Sequence, residues 1–190
     1  MSSHRFPSEA ERAFSFLEKM GFHLVEKAAT RIQYVATRAF VAIEWDPRSG
    51  ELNAFLGPHA ASDEQPAKFS LTDLLRMRGV DVPEGKMPFQ VADEGRIGPF
   101  LKRIAEDIRA YARPALAGDM AFFDRLEAFR SSQAHTEMRS MEVGRIRSAI
   151  DRAWRERNYR KVRELYSSVG GDLSDADRAK LAYAKKHDNS

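Results

Sequence analysis

AFVAIEWDPRSGELNAFLG, residues 39–57, decides the fold class. Two runs rich in β-formers, 39–46 and 51–56, flank the turn tetrad Pro47-Arg48-Ser49-Gly50. Proline and glycine stand where a tight turn wants them, so the stretch predicts an antiparallel hairpin. Upstream the period of two continues. Phe22 and Leu24 alternate with His23 and Val25, and Ile32, Tyr34 and Ala36 alternate with Gln33, Val35 and Thr37. A meander of about four strands follows from this pattern.

A sheet with one apolar face needs cover. The segment before it supplies a helix, expected over 8–20. Ala10, Ala13, Phe14, Leu17 and Met20 recur at helical spacing, Ser8 and Glu11 have the spacing of a capping box, and Gly21 suits the left-handed stop. Beyond the meander, 58–66 is a polar loop with proline at both ends. Residues 69–77 predict a short helix capped by Ser70 and closed by Gly79, and 79–98, broken by glycines and prolines, predict a long irregular connection.

From Pro99 onward the pattern is helical throughout. Pro99 suits a first helical position, and Phe100, Leu101, Ile104, Ile108 and Tyr111 mark one face. Pro114 interrupts, and Asp119 restarts a helix carrying Met120, Phe123, Leu126 and Phe129. Met138, Met141, Ile146, Ala149, Ile150, Ala153 and Trp154 form a further stripe that Asn158 breaks. Tyr159, Val162, Leu165, Tyr166 and Val169 follow before Gly170-Gly171, and Ser174 caps a last helix with Asp177 three residues on. The expected fold class is therefore α+β: an N-terminal helix packed on an antiparallel β-meander over 1–98, then an all-helical region over 99–190, the two free to share one core.

Composition narrows the function classes. The 190 residues contain no cysteine, which removes disulfides, thiolate metal sites and cysteine nucleophiles and points to a reducing, cytoplasmic setting. No apolar run reaches the roughly 20 residues of a membrane span. Net charge is +3, distributed unevenly: 12 Lys/Arg face 14 Asp/Glu over 1–100, and 19 face 14 over 101–190. None of the five histidines, His4, His23, His59, His135 and His187, has a ligand-spaced partner, and no phosphate-binding glycine loop or nucleophile elbow occurs. Glu44, Asp46 and Glu51 surround the hairpin and could be read as a metal-dependent nuclease centre. The phosphate-polarising lysine is missing, however, and Asp46-Pro47 is an ordinary turn entry. No catalytic residue, metal or cofactor is expected.

The remaining candidate is a basic stretch. Over 139–164, nine Lys/Arg oppose four Asp/Glu, with Trp154, Tyr159 and Tyr166 interleaved. Two readings stand: an arginine-rich face for an acidic protein or for nucleic acid, and a solvated helix face with its aromatic residues in the core. The partner-binding candidates are Arg147, Arg155, Arg157 and Arg160, together with Met87, Phe89 and Gln90 in the irregular connection. Arginines and exposed aromatics commonly anchor interfaces. Residues 138–154 offer an alternative use as a homodimer seam.

Two resemblances add to this. Ala153-Trp154, Asn158-Tyr159 and Leu165-Tyr166, with Leu173, Ala176, Leu181 and Ala184 after the turn, resemble one tetratricopeptide-type hairpin, although the small residue usually found between the Trp and Tyr positions is absent and the unit does not recur. Phe14-x-Phe16-Leu17 with Gly21-Phe22, then Asp46-x-Arg48-Ser49-x-Glu51, Phe69-Ser70-Leu71-x-Asp73-Leu74-Leu75 and Leu116-x-Gly118-Asp119 are similar to small bacterial proteins of the toxin-immunity and accessory type. That resemblance implies a non-enzymatic cytoplasmic protein that blocks a toxin-like effector, and it transfers no active-site residue. The alternative is a nucleic-acid-associated module using the arginine-rich helices.

Overall fold

A computed structural model of the chain describes residues 5–59, 67–82, 89–169 and 173–187. The chain divides into two compact units, 1–130 and 131–190. The division lies well beyond residue 98, because the helices after 98 supply core side chains to the first unit.

In the first unit, helix α1 (Arg5–Phe14) continues into a 3-10 turn, Ser15–Met20. Ser8 lies inside α1 rather than at its cap. The backbone N–H of Phe6 donates instead to Glu94 Oε1 at 2.9 Å. Gly21 (φ 84°) ends the turn, its N–H donating to Glu18 O at 3.0 Å while that of Phe22 donates to Leu17 O at 3.1 Å.

Strands β1 (His23–Lys27), β2 (Arg31–Val35), β3 (Ala39–Trp45) and β4 (Glu51–Pro58) form an antiparallel meander. Register places Leu24 beside Tyr34, Tyr34 beside Val41, Val41 beside Leu56, and Ile43 between Ile32 and Ala54. These residues share the face on which the core assembles. The turn tetrad behaves as its residues require: Asp46 Oδ1 accepts from the Arg48 N–H at 2.8 Å, and Gly50 takes φ 74°. In β1 the pairing shifts between Leu24 and Glu26, leaving Val25 as an extra, exposed residue on the edge strand.

The far edge of β4 is covered by two short strands, β5 (Phe69–Ser70) and β6 (Phe89–Gln90). Ser70 then caps α2 (Leu71–Met77) in a full capping box with Asp73. Within the expected irregular connection, the described residues 89–98 carry regular structure. Gln90 pairs with Glu51 and Phe89 with Leu52, a 3-10 turn spans Glu94–Arg96, and α3 (Ile97–Tyr111) begins two residues before Pro99. Helix α4 (Arg113–Leu116) follows Ala112, and α5 (Met120–Arg155) runs unbroken for 36 residues.

One core gathers Phe6, Phe14 and Leu17 with the inner sheet face, Leu101, Ile104 and Ile108 of α3, and Phe122, Phe123 and Leu126 of α5. Full burial of each large side chain contributes about 1.5–3 kcal/mol. Tyr34 is fully buried among them, and its hydroxyl has no hydrogen-bond partner among the described residues. On the outer face, Gly57 faces Phe40: a Cβ there would stand 2.4 Å from the Phe40 ring and 2.0 Å from Ala67 O.

The second unit contains the end of α5, α6 (Tyr159–Val169) and α7 (Asp175–His187) around Ile150, Ala153, Val162, Tyr166 and Ala184. The overall class is α+β with an all-helical C-terminal region. Among the described residues no helix is long and apolar enough to cross a membrane.

Candidate partner-binding site

Two of the three hairpin carboxylates, Glu44 and Asp46, have structural work. Glu44 lies 2.7 Å from Lys68 Nζ and 3.6 Å from Arg31 Nε, and Asp46 closes the turn. Its bond to the Arg48 N–H, first among several donors, holds the Asp46 carboxyl below the usual carboxylate range. Phe89 is half-buried, with its ring 5.3 Å from that of Phe100, and pairs through its backbone with β4. It is therefore a packing residue and not a free loop anchor. Gln90, its exposed neighbour, is likewise tied into the sheet. Met87 lies outside the described residues.

The arginine-rich candidates fall in the second unit, where the sequence builds a helical hairpin with an unusual corner. Residues 153–158 close α5 in a Schellman motif: the Asn158 N–H donates to Ala153 O at 2.9 Å, and the Arg157 N–H to Trp154 O at 3.0 Å. That geometry requires a left-handed residue at position 157, usually glycine. Here it is arginine, at φ 56°, the sole positive-φ non-glycine residue among those described. Asn158 Oδ1 then accepts from the Lys161 N–H at 3.0 Å, so α6 is capped as soon as α5 ends.

The corner exposes Arg155, Arg157 and Arg160 together with Lys161. Among the described residues Arg155 Nε donates to a backbone carbonyl, that of Asp151, at 3.2 Å. Arg160 is 3.3 Å from Glu164 but 79% exposed, so water screens that pair. Arg157 has no ionic partner among the described residues.

Arg147 is employed differently. Its Nη2 lies 3.8 Å from Asp177 Oδ2. Asp177 also accepts from Ser174 Oγ at 2.7 Å and from Tyr166 Oη at 3.0 Å, while its own N–H donates to Ser174 Oγ at 3.1 Å. This one carboxylate joins α5, α6 and α7. The Ser174 hydroxyl, then Tyr166, then Arg147 hold its ionisation below the usual range. Tyr166, buried and facing that carboxylate, is pushed up to about 12. The capping box was legible in the sequence, but the Tyr166 and Arg147 contacts depend on how the helices cross.

Trp154, Tyr159 and Tyr183 pack ring to ring with centroids 5.3–5.7 Å apart. His187 lies 4.2 Å from Tyr183. Trp154 and Tyr159 thus belong to the hairpin's packing, whereas Tyr183 remains 46% exposed. Upstream, residues 131–142 of α5 are exposed on every side, including Met138 (63%) and Met141 (62%). Comparisons with protein-family models, curated proteins and solved structures gave no match.

Proposed function

We propose that the chain is a non-enzymatic protein-binding module whose α5–α6 corner docks against an acidic surface of a protein partner. The observation that carries this reading is Arg157. An arginine in the left-handed region costs about 1 kcal/mol that glycine would avoid. The strain sits where the side chain is exposed and unpaired, between Arg155 and Arg160, so the charge at this corner is maintained against a local penalty. Three guanidiniums within six residues suit bidentate recognition of carboxylates. The resemblance to toxin-immunity proteins gives the partner a class: a toxin-like effector whose working surface the corner would cover.

The test co-produces the chain with the products of its neighbouring genes, each assayed for toxicity and for complex formation with and without the chain. Neutralisation of one product's toxicity and a salt-sensitive complex with it are expected. Arg155→Glu with Arg157→Glu should weaken that complex by tenfold or more, because reversal turns attraction into repulsion at a charged contact. Unchanged affinity in the doubly reversed variant sinks the proposal.

The half-exposed Tyr183 with His187 beside it, next to the Arg-bearing corner, favours a second reading: stacking and phosphate contacts with single-stranded nucleic acid. Fluorescence anisotropy with a labelled oligonucleotide separates the two. This reading requires micromolar binding that declines steeply with added salt and weakens in Tyr183→Ala.

A further inference from the structure

The exposed stretch of α5 carries a second surface, separate from the corner. Glu137, Met141, Gly144, Ser148 and Arg152 follow one another at spacings of four, three, four and four, which places them on one helix face. All five are exposed, and the face lies opposite Ile146, Ile150 and Ala153, which the hairpin covers. Gly144 is open: a Cβ there would meet nothing within 4 Å. Neither Glu137 nor Arg152 has an ionic partner among the described residues.

Charge along this helix is asymmetric. Glu137 and Glu142 lie before Gly144, with Arg139 between them. Arg145, Arg147, Arg152 and Arg155 lie after it, offset by Asp151 alone. On the exposed face itself Glu137 stands at one end and Arg152 at the other, so the face complements a copy of itself running the opposite way. We propose that the occupant of this face is a second copy of the chain, packed antiparallel about a two-fold axis between Gly144 and Arg145.

The register follows from the spacing. With the axis there, Glu137 of each copy opposes Arg152 of the other, and Met141 opposes Ser148. The charged pairs lie about 22 Å apart at the two ends of the contact, from a rise of about 1.5 Å per residue. Gly144 falls at the closest approach, where a missing side chain lets backbones near one another. Arg145 of each copy comes close to the axis, three residues from its own Glu142, so like charges at the centre are balanced within each helix. Antiparallel dipoles add to the attraction. The contact is isologous, every pair occurring twice.

The chain has no cysteine, which makes the test clean. The full-length protein should run as a concentration-dependent dimer in sedimentation or light scattering at micromolar concentration. Glu137→Arg and Arg152→Glu should each raise the dimer dissociation constant at least tenfold, and the double variant should restore it. A general loss of folding would show no such rescue. Under mild oxidation Gly144→Cys should give a linked dimer. Met141→Cys mixed with Ser148→Cys should link across the two, whereas Met141→Cys alone should not. A monomer at all concentrations, a double variant no better than the singles, or efficient Met141→Cys self-linking would overturn the proposal. Because the dimer variants at Glu137 and Arg152 leave Arg155, Arg157 and Arg160 in place, their failure leaves the effector-binding reading untouched, and Arg157→Glu alone, which lies off this face, tests the corner without touching the dimer.

Discussion

Asp177→Ala should unfold the helical unit at markedly lower denaturant while leaving the sheet unit intact. Three losses contribute. The capping box at the start of α7 disappears, costing about 1 kcal/mol. Tyr166 Oη, in a residue only 5% exposed, loses its 3.0 Å acceptor, costing a further 1–3 kcal/mol or so. The Arg147 contact is long, at 3.8 Å, and the guanidinium side is 56% exposed, so it adds a few tenths of a kcal/mol at most. The sum is roughly 2–4 kcal/mol, dominated by the orphaned hydroxyl. Urea titration followed by Trp154 fluorescence in a Trp45→Phe background reads this unit selectively. A double-mutant cycle with Tyr166→Phe should return a coupling of about 1 kcal/mol or more, since removing both partners leaves no buried donor unpaired. A loss for Asp177→Ala below about 0.5 kcal/mol, or a coupling of zero, would refute the view that this carboxylate ties the three helices together.

Other expectations follow from the same geometry. Arg157→Gly should stabilise the helical unit by about 1 kcal/mol by relieving the left-handed strain while weakening partner binding, measured by urea titration and by affinity on the same sample. Gly57→Ala should destabilise the sheet unit by roughly 1–3 kcal/mol, because the methyl would collide with the Ala67 carbonyl and the Phe40 ring; thermal melting reports it. Alkaline titration gives a fourth check. Burial, then Glu11 and Glu18, push Tyr34 up to about 12, and Tyr166 is raised to about 12 as well. Both phenols stay neutral in the fold after the unfolded chain ionises near pH 10. Their contribution is therefore complete below pH 10 and is lost as pH climbs toward 12, on the order of 2 kcal/mol each. Tyrosinate absorbance should show late-titrating groups, and Tyr34→Phe and Tyr166→Phe should each remove one.

The hairpin at 39–57 was legible because turn chemistry and period-two alternation agree there, and Ser70 announced the start of α2, whereas its capping-box partner Asp73 came from the structure. Strand β6 could not be read, since two residues carry no periodicity and their pairing with β4 spans nearly forty positions. The single length of α5 was also hidden. Between Ser131 and Val143 no apolar face marks a helix, so the separate stripes over 120–129 and 138–154 suggested two elements instead of one. At the candidate site, the sequence located the arginines but not their occupations. Arg147 and Arg157 look alike in the string, yet one faces Asp177 and the other stands alone at a Schellman corner. Only tertiary crossing and backbone torsion distinguish them.

The extra residue Val25 in β1 constrains how these chains can gather. An even edge strand offers its free amides and carbonyls to any passing copy. With the pairing slipped there, and His23, Glu26 and Lys27 along the same margin, the β1 edge offers no flat rim on which another ribbon could lie. Open-ended stacking of backbones along that edge is thereby disfavoured, which leaves contacts between helix side chains as the route the proposed dimer would take.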